Sequence, residues 1–478
     1  MCGILGISGF EDVSGELVSG LVSIQHRGQD AAGVLTYNDG RFHMHKGSGY
    51  VSDVFRKVDL SRLAGNIGLG HVRYATVGST ESIDAQPFAV NYPFGIAMVH
   101  NGNVINFVKL REVLNDEYHR MVETSNDVEL LLYTFATYLQ EKNLKHITLE
   151  DIYNSVEFVQ EHVKGAYSCI TYIKSIGFLA FTDPYGIRPL IMGKKETIKG
   201  TKYIFASETA VFDYLGYEYV RDLEAGEAVF IDSENKVHSR ILTKKKSCFC
   251  VFEYIYFARE DSVFKERLVA SERVRMGKAL KERIEESGVK PDIIIDVPTS
   301  AYFFASGLAE KLDVPYRRGL AKNRFVGRSF ISPTEELRRR VVRQKLNPIR
   351  DIVRDRKIAV IDDSIVRGTT SRHIVNLLKE YGAKEVYFIS ASPPVKFPCI
   401  YGIDMSVKKE LIAANNTVEE IADKLCCEKV IYQSVEGLRD LYKDMTICDA
   451  CFSGEYPTGI TQEILDQIEE EKLRSDRV

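Results

Sequence analysis

Short apolar runs alternate with helical patterns in the second half of the chain, and this alternation constrains the fold more than any other feature. The runs are Asp292–Val297, Lys357–Ile361 and Glu385–Ser390, and the first two are followed by helical spacing of apolar residues, from about Ala301 to Leu312 and from about Thr370 to Tyr381. Short strands that are apolar throughout are typical of a parallel sheet covered by helices on both faces. The sequence therefore predicts an α/β domain whose ligands bind at the carboxyl ends of the strands.

The first half of the chain has a different rhythm. Residues 1 to about 240 contain short strands with glycine-rich turns, such as Gly68–Arg73 and Gly95–His100, together with the helical pattern of Val128–Glu141. This mixture predicts strand ladders packed against helices, which is an α+β layer arrangement.

Length and composition bound the number of domains and the kinds of partner. A chain of 478 residues exceeds the size of one hydrophobic core. We expect domains over residues 2–240 and 250–478, divided within the polar run Leu242–Ser247, and a C-terminal helical extension over Gln462–Arg477. The net charge of −4 gives no reason to expect nucleic-acid binding, and no apolar run approaches the ~18 residues of a membrane span. Because the N-terminus lacks the basic region of a secretory signal, we expect a cytoplasmic protein with no membrane partner.

The strongest local motif begins where the second predicted strand ends. Two carboxylates, Asp362 and Asp363, are followed by a loop of small residues and then by a helix. The backbone N–H groups of such a loop and of the helix N-terminus bind anions, and Gly368 allows close approach. The carboxylates are suited to hold sugar hydroxyls or a hydrated Mg²⁺ ion. The alternative is a capped helix with solvated acids, but an acidic pair joined to a Ser/Thr/Gly loop is unusual.

Cys2 is the second feature that points to chemistry. If Met1 is removed, one residue carries both a thiol nucleophile and a free α-amine, whose unperturbed pKa of about 7.7–8.0 lets it accept a proton near neutrality. Cysteine is small enough to permit removal of the methionine, and we expect maturation to need no further processing. Taken alone, a second-position cysteine is more often incidental, so the other motifs must decide.

The run Val360–Ser371 resembles the phosphoribosylpyrophosphate (PRPP) loop of type I phosphoribosyltransferases. This resemblance implies that Asp362 and Asp363 face the ribose and its Mg²⁺ ion. It also implies a group of 5′-phosphate ligands, namely Ser364, Arg367, Gly368, Thr369 and Thr370.

A second loop resembles the pyrophosphate loop of the same family. In Val297–Ser300, Ser300 matches a hydroxyl associated with the metal, and Thr299 stands where many relatives have Asp. Lys322 and the basic run Arg338–Arg340 follow this loop in the chain. Because they lie next to a site for an anionic substrate, we expect a mobile lid that closes over PRPP.

Five motifs of the first half resemble, in the same order, those of class II glutamine amidotransferases. They are Cys2–Ile4, His26–Asp30, Gly70–Thr76, His100–Asn103 and Ser125–Asp127. That family consists of N-terminal-nucleophile hydrolases with a four-layer αββα fold. The resemblance implies that Cys2 attacks the glutamine amide and that Asn101 and the Gly102 N–H hold the oxyanion. It also implies that Arg73 and Asp127 hold the α-carboxylate and the α-ammonium group of glutamine.

Taken together, the two halves resemble the glutamine phosphoribosylpyrophosphate amidotransferases over nearly the whole chain. Three further motifs carry the resemblance: Asp183–Leu190, Ala206–Thr209 and Phe252–Arg259. The family's activity implies that ammonia from glutamine displaces pyrophosphate from PRPP and forms 5-phosphoribosylamine, the first committed step of purine nucleotide synthesis. The family also implies inhibition by purine nucleotides and a homotetramer. A sugar-isomerase-type amidotransferase would lack the Asp362–Asp363 loop, whereas a non-catalytic PRPP or nucleotide sensor on the same fold is the open alternative.

The cysteines indicate a possible cofactor. Cys448 and Cys451 form a Cys-x-x-Cys pair, and Cys250 and Cys399 are the best remaining candidates for a site with four ligands. In the iron–sulfur subgroup of the family, cysteines at these four positions hold a [4Fe–4S] cluster, and the resemblance implies the same cofactor here. A zinc site or unligated buried thiols are the alternatives.

Overall fold

A computed structural model describes residues 1–74, 82–323, 346–405 and 407–475. The strands of the first half, in chain order, are β1 Gly3–Ser8, β2 Ala31–Asn38, β3 Arg41–Ser48, β4 Ile67–Arg73, β5 Phe88–Val90, β6 Ile96–Val104, β7 Gly165–Ile173, β8 Gly177–Thr182, β9 Ile191–Thr197, β10 Gly200–Ala206, β11 Glu218–Asp222, β12 Glu227–Asp232 and β13 Val237–Ile241. Within the described residues they form two antiparallel sheets. One has the order β11-β9-β10-β1-β4-β2-β3 and the other the order β13-β12-β8-β7-β6-β5.

Helices cover the outer face of each sheet. They are α1 Ser14–Ser23, α2 Val51–Val54, α3 Phe107–Asp116, α4 Asp127–Gln140, α5 Leu149–His162 and α6 Ala210–Leu215. Leu17 and Leu21 of α1 share a buried cluster with Leu5 of β1, and α4 and α5 pack on the second sheet through a separate cluster. A third cluster, which includes Leu69 and Val99, fills the space between the sheets. The resulting αββα layers confirm the predicted fold of the first half.

The second half is built around a parallel sheet. Its strands are β14 Phe249–Cys250, β15 Val263–Phe264, β16 Arg267–Leu268, β17 Ile293–Asp296, β18 Leu320–Lys322, β19 Leu346–Pro348, β20 Lys357–Asp362, β21 Glu385–Ser390, β22 Lys429–Tyr432 and β23 Ile447–Cys448. The parallel sheet has the order β17-β20-β21-β22. Its helices are α7 Val269–Ser287, α8 Tyr302–Leu312, α9 Arg350–Val353, α10 Thr369–Glu380, α11 Val418–Leu425, α12 Val435–Leu441, α13 Ala450–Ser453 and α14 Gln462–Ser475. This architecture confirms the predicted α/β class.

The segment Phe249–Phe257, which joins the two halves, pairs with the C-terminal part of the chain. β14 pairs in parallel with β23, which sets Cys250 opposite Cys448. A π-helical turn, Glu253–Phe257, follows. The sheets of the first half end at Ile241, and the domain bounds 2–240 and 250–478 stay predictions.

In the part of the chain that the structure describes, no helix has the length and apolar character required to cross a membrane. The basic run Arg338–Arg340, and with it the expected lid, lies outside the described residues.

Candidate active sites

A pocket at one end of the seven-stranded sheet gathers the predicted glutamine-site residues. β1 and β4 are antiparallel, and the pairing of Gly3 with Val72 brings Cys2 next to the end of β4. The half-buried Cys2 thiol lies 3.8 Å from the Tyr74 carbonyl oxygen. The pocket is lined by Cys2, Arg73, Tyr74, Gln86, His100, Gly102, Asn103, Ser125, Asn126 and Asp127.

Asn101 lies beside this pocket with an unusual amide. The side chain is 1% exposed, and neither its Nδ2 nor its Oδ1 atom has a hydrogen-bond partner in the described part of the protein. A buried amide without partners costs free energy. This unpaired amide directly precedes Gly102, which lines the pocket.

The charged side chains of the pocket are held by their neighbours. Arg73 is buried, with its guanidinium 3.7 Å from the carboxylate of Asp84. Asp127 is the first residue of α4, and its Oδ2 accepts a hydrogen bond of 2.7 Å from the Val104 N–H. The arrangement sets a cation and an anion in the pocket that contains the Cys2 thiol, as recognition of a zwitterionic amino acid requires.

Four motifs that are distant in sequence meet behind Cys2 in one buried ion-pair network. Arg27 donates to Glu253 through both terminal nitrogens at 3.0 Å and to Glu208 at 2.5 Å. Arg188 approaches Glu253 at 3.4 Å. The Arg27 Nε atom also donates to the Cys2 carbonyl oxygen at 3.0 Å. The network therefore fixes the backbone of the candidate nucleophile.

The network keeps the carboxylate of Glu208 ionised. Burial alone would raise the pKa of Glu208, but His26 and Arg27 outweigh it and hold that pKa far below its usual range. Likewise, burial would lower the pKa of Arg27, whereas Glu253 and Glu208 keep it raised. Fully paired charges of this kind persist in the interior, but the loss of one partner leaves the others uncompensated.

The predicted phosphate site lies at the carboxyl end of β20. Asp362 and Asp363 are both buried there. Asp363 accepts hydrogen bonds from the hydroxyls of Ser300 at 2.5 Å and Ser364 at 2.7 Å. Burial, followed by the neighbouring Asp363, raises the pKa of Asp362 well above its usual value. Burial also raises the pKa of Asp363, against the opposing effects of Ser300, Ser364 and Arg273.

The loop after the acidic pair leads into α10. Gly368 precedes the helix with φ +75°, a backbone conformation that favours glycine over residues with a side chain. Thr369 and Thr370 are exposed in the first turn of the helix. Arg367 is engaged in an ion pair with Glu410 at 2.5 Å. Two further predicted PRPP residues, Thr299 and Lys322, are exposed.

The four predicted cluster cysteines converge near Arg188. The pKa of Arg188 is raised, because Cys250, Cys399, Glu253 and Cys448 outweigh its burial. Burial, with Cys399 and Cys250 as neighbours, raises the pKa of Cys451. Arg188 is 1% exposed, and its Nη2 atom has no hydrogen-bond partner within the described residues. Four buried thiols beside a partly unpaired guanidinium fit a cofactor that is negatively charged.

One hydrogen bond reaches a sulfur atom of this set. A backbone N–H···S contact of 3.4 Å from Tyr401 to Cys399 is of the kind that surrounds iron–sulfur clusters.

Sequence reasoning missed Gln86. Its Oε1 accepts a hydrogen bond of 2.7 Å from the His100 N–H, and its Nε2 donates to Asn126 at 3.2 Å. The residue lies in a loop before Pro87, where no periodicity or motif marks it. The pairing of Arg27 with Glu253 was equally invisible, although both residues lie in motifs that carry the family resemblance.

Comparison with known proteins identifies one domain in each half of the chain. A glutamine amidotransferase domain model matches residues 71–213, and a phosphoribosyl transferase domain model matches residues 271–391. Amidophosphoribosyltransferase of Pasteurella multocida is 43% identical over 99% of this chain and 96% of its own length. The enzyme of the same name from Escherichia coli is 42% identical over 100% of this chain and 96% of its own length.

Solved structures extend the match to the fold. Glutamine PRPP amidotransferase from B. subtilis, complexed with ADP and GMP, is 38% identical, covers 97% of this chain and 98% of its own, and superposes with a TM-score of 0.85. A structure described as the allosteric regulatory enzyme of purine biosynthesis is also 38% identical, covers 98% of this chain and 99% of its own, and has a TM-score of 0.87.

The two sites and the two matched domains define a glutamine amidotransferase joined to a phosphoribosyltransferase. Relatives at this identity and coverage make the assignment more specific. The chain belongs to the amidophosphoribosyltransferase family, and this confirms the enzyme class predicted from the sequence.

Proposed function

We propose that this chain hydrolyses glutamine at Cys2 and transfers the ammonia to PRPP, giving 5-phosphoribosylamine and pyrophosphate in purine nucleotide synthesis. One observation carries the proposal: a single pocket contains Cys2, Arg73, Gly102 and Asp127. The acidic pair that ends β20 in the other domain supplies the second site. Family membership supports the same reaction.

In the first half-reaction the Cys2 sulfur attacks the amide carbon of glutamine. The negative charge that develops on the amide oxygen is stabilised by the Asn101 Nδ2 and Gly102 N–H donors. Once Met1 is removed, the Cys2 amine serves as the base: it takes the thiol proton and passes it to the departing nitrogen, which leaves as ammonia. Water then hydrolyses the thioester to glutamate.

In the second half-reaction ammonia attacks C1 of PRPP and pyrophosphate leaves. Asp362 and Asp363 hold the ribose hydroxyls, and the N–H groups of the loop and of the α10 N-terminus hold the 5′-phosphate. Ser300, Asp362 and Asp363 would hold Mg²⁺, which balances the negative charge of the pyrophosphate. The two buried carboxylates and their hydroxyl neighbours fit this ion, since Mg²⁺ is usually bound by one or two carboxylates and substrate oxygens.

Cys2→Ser separates the two half-reactions. We expect the variant to lose glutamine-dependent synthesis of 5-phosphoribosylamine and to keep synthesis from added ammonium salt. Cys426→Ser, which changes an exposed thiol, is the matched control and should keep both activities. Equal loss of both activities in a folded Cys2→Ser protein would refute the division into two sites.

A non-catalytic PRPP or nucleotide sensor is the second candidate, because the phosphate loop alone could serve binding. Measurement of glutamate release with and without PRPP separates the two functions. We expect glutamate release that PRPP stimulates. A protein that binds PRPP but releases no glutamate under either condition would be a sensor.

The cysteine set supports a [4Fe–4S] cluster held by Cys250, Cys399, Cys448 and Cys451. Such a cluster would contribute structure or sensitivity to oxygen, since neither half-reaction is redox chemistry. Arg188 would balance its negative charge from the buried side. Because buried thiols must lose their protons to become ligands, assembly should release protons.

Two buried cysteines give a matched test of this cluster. Protein purified without oxygen should be brown and contain about four iron atoms per chain. Cys250→Ser should lose the iron and the colour, whereas Cys427→Ser, which changes a buried thiol outside the proposed set, should keep both. Stoichiometric zinc without iron would reject the cluster.

Purine nucleotides are the proposed inhibitors, by analogy with the relative that carries ADP and GMP. Displacement of PRPP by these nucleotides would test this, with pyrimidine nucleotides as the control. A homotetramer and a cytoplasmic location stay predictions. Native mass spectrometry would decide the first, and microscopy of a tagged chain the second.

A further inference from the structure

The second domain touches the oxyanion site directly through one short segment, Cys399–Gly402. The Asn103 Nδ2 atom donates to the Ile400 carbonyl oxygen at 3.0 Å. Asn103 follows Gly102 on β6. The backbone that carries the proposed oxyanion donor is thus bonded to the other domain one residue further on.

Gly402 makes the closest approach. A Cβ atom built on it would lie 2.7 Å from the carbonyl oxygen and 2.9 Å from the carbonyl carbon of Gly102. Its φ of +100° is also one that L side chains rarely adopt. Glycine at this position lets the two backbones pack against each other without an intervening side chain.

The segment is held by hydrogen bonds from both halves of the chain. The Arg188 Nε atom donates to the Tyr401 carbonyl oxygen at 2.8 Å, and the Tyr401 hydroxyl bonds Thr458 at 2.7 Å. The Cys399 N–H donates to Met405 at 2.9 Å and closes the base of the segment. These restraints keep the backbone of the segment in a fixed position against Gly102.

We propose that Gly402 is a positioning residue for glutamine hydrolysis. From the second domain, it fixes the position of Gly102 and so the direction in which the oxyanion donor points. This inference rests on the proposed role of the Gly102 N–H. If Gly402 has this role, the glutaminase site is complete only when the second domain is packed against the first. Misplacement of a reacting or stabilising group by about 1 Å can lower the rate by about 100-fold.

Gly402→Ala tests the contact. We expect kcat for glutamine hydrolysis to fall at least tenfold, because an oxyanion donor acts in the transition state, while the KM for glutamine changes less than threefold. Synthesis from ammonium salt should stay within twofold of wild type. Alkylation of Cys2 by iodoacetamide, which forms no oxyanion, should keep its rate.

Gly288→Ala is the matched control. Gly288 ends α7 with φ +73°, and a Cβ atom there meets nothing within 4 Å. The control therefore adds a comparable backbone strain without a contact, and its glutaminase kcat should equal that of wild type. A Gly402→Ala enzyme with wild-type kcat would overturn the proposal.

Gly402→Ala could fail to fold and so lose ammonia-dependent synthesis as well. A second variant therefore tests the same contact without adding a steric clash. Asn103→Leu keeps a similar volume and removes the donor to Ile400. It should lower glutaminase kcat several-fold at unchanged ammonia-dependent synthesis, and wild-type kcat in this variant would overturn the proposal. If Cys2→Ser abolishes hydrolysis while these variants leave kcat intact, only this inference fails. If Cys2→Ser leaves hydrolysis intact, the proposed function fails instead.

Discussion

Glu253 accepts a hydrogen bond of 3.0 Å from each terminal nitrogen of Arg27. Both side chains are fully buried, and they lie 226 positions apart, one in each half of the chain. The same guanidinium holds the Cys2 carbonyl oxygen at 3.0 Å. One ion pair therefore connects the start of the second half to the backbone of the proposed nucleophile.

Replacement of Glu253 by Gln should strongly destabilise the protein. Arg27 and Arg188 would keep buried charges with less compensation, and the breaking of a buried pair typically costs about 3–5 kcal/mol. The midpoint of chemical denaturation should therefore fall clearly below that of wild type. Asp53→Asn breaks an exposed pair with Arg56 and should change the free energy of unfolding by at most about 1 kcal/mol. Equal midpoints for the two variants would contradict the role of the network.

Asn101→Leu should separate activity from stability. Loss of one oxyanion donor should lower kcat for glutamine hydrolysis by about 10²–10³-fold. Stability should stay constant or rise, because the substitution removes a buried amide that has no partner. Thermal melting and steady-state kinetics measure the two effects.

The control for Asn101 is Asn126→Leu. The Asn126 amide accepts hydrogen bonds from Gln86 and Val128 and donates to Asp84. This variant should lower the melting temperature. A larger loss of stability in Asn101→Leu than in Asn126→Leu would argue against a free oxyanion donor.

Arg73→Lys should affect binding more than chemistry. Lysine keeps the charge but cannot form the two parallel hydrogen bonds that a guanidinium offers a carboxylate. The KM for glutamine should rise at least tenfold, while kcat and ammonia-dependent synthesis change little. Arg221→Lys breaks a comparable pair with Glu227, at 2.8 and 2.6 Å, away from the pocket, and should leave the KM unchanged. A fall in kcat at constant KM for Arg73→Lys would assign this side chain to the transition state instead.

Local patterns predicted the elements of the second half. The apolar run before Asp362 predicted β20, and the small residues after Asp363 predicted the loop and α10, because strand burial and helix start signals depend on neighbours in sequence. The motifs around Cys2, Asn101 and Asp127 were found differently, through their resemblance to class II glutamine amidotransferases. In the structure, Cys2 and Asp127 line one pocket.

Contacts between distant segments could not be read from the sequence. In the sequence, Glu253 and Arg188 are single charges in two separate motifs, and their pairing depends on how the two halves of the chain pack. In the sequence, no motif or periodicity distinguishes Gly402 from other glycines. Its closeness to Gly102 is visible only in the structure. The ion pair of Arg367 with Glu410 was likewise not predicted from the sequence, and the role of Arg367 as a phosphate ligand stays a prediction.

The acidic pair at the end of β20 should make PRPP binding depend on pH. Burial raises the pKa of both Asp362 and Asp363, so they gain protons at a higher pH than an exposed aspartate does. Mg²⁺ and the ribose hydroxyls require the ionised carboxylates, and affinity should therefore fall as pH is lowered through these raised pKa values. Titration calorimetry of PRPP in the presence of Mg²⁺, across the acidic and neutral range, measures this fall in affinity, the acid limb of the binding curve.

Ser364→Ala gives the direction of this effect an independent check. The Ser364 hydroxyl donates to Asp363 at 2.7 Å and lowers the pKa of that carboxyl. Without it the pKa of Asp363 should rise further, and the acid limb of PRPP binding should move to higher pH. Ser287→Ala, at the end of α7, removes a hydroxyl that bonds only its own helix end and should leave the limb in place. An acid limb that does not move in Ser364→Ala, or that moves to lower pH, would show that Asp363 does not control PRPP binding through its charge.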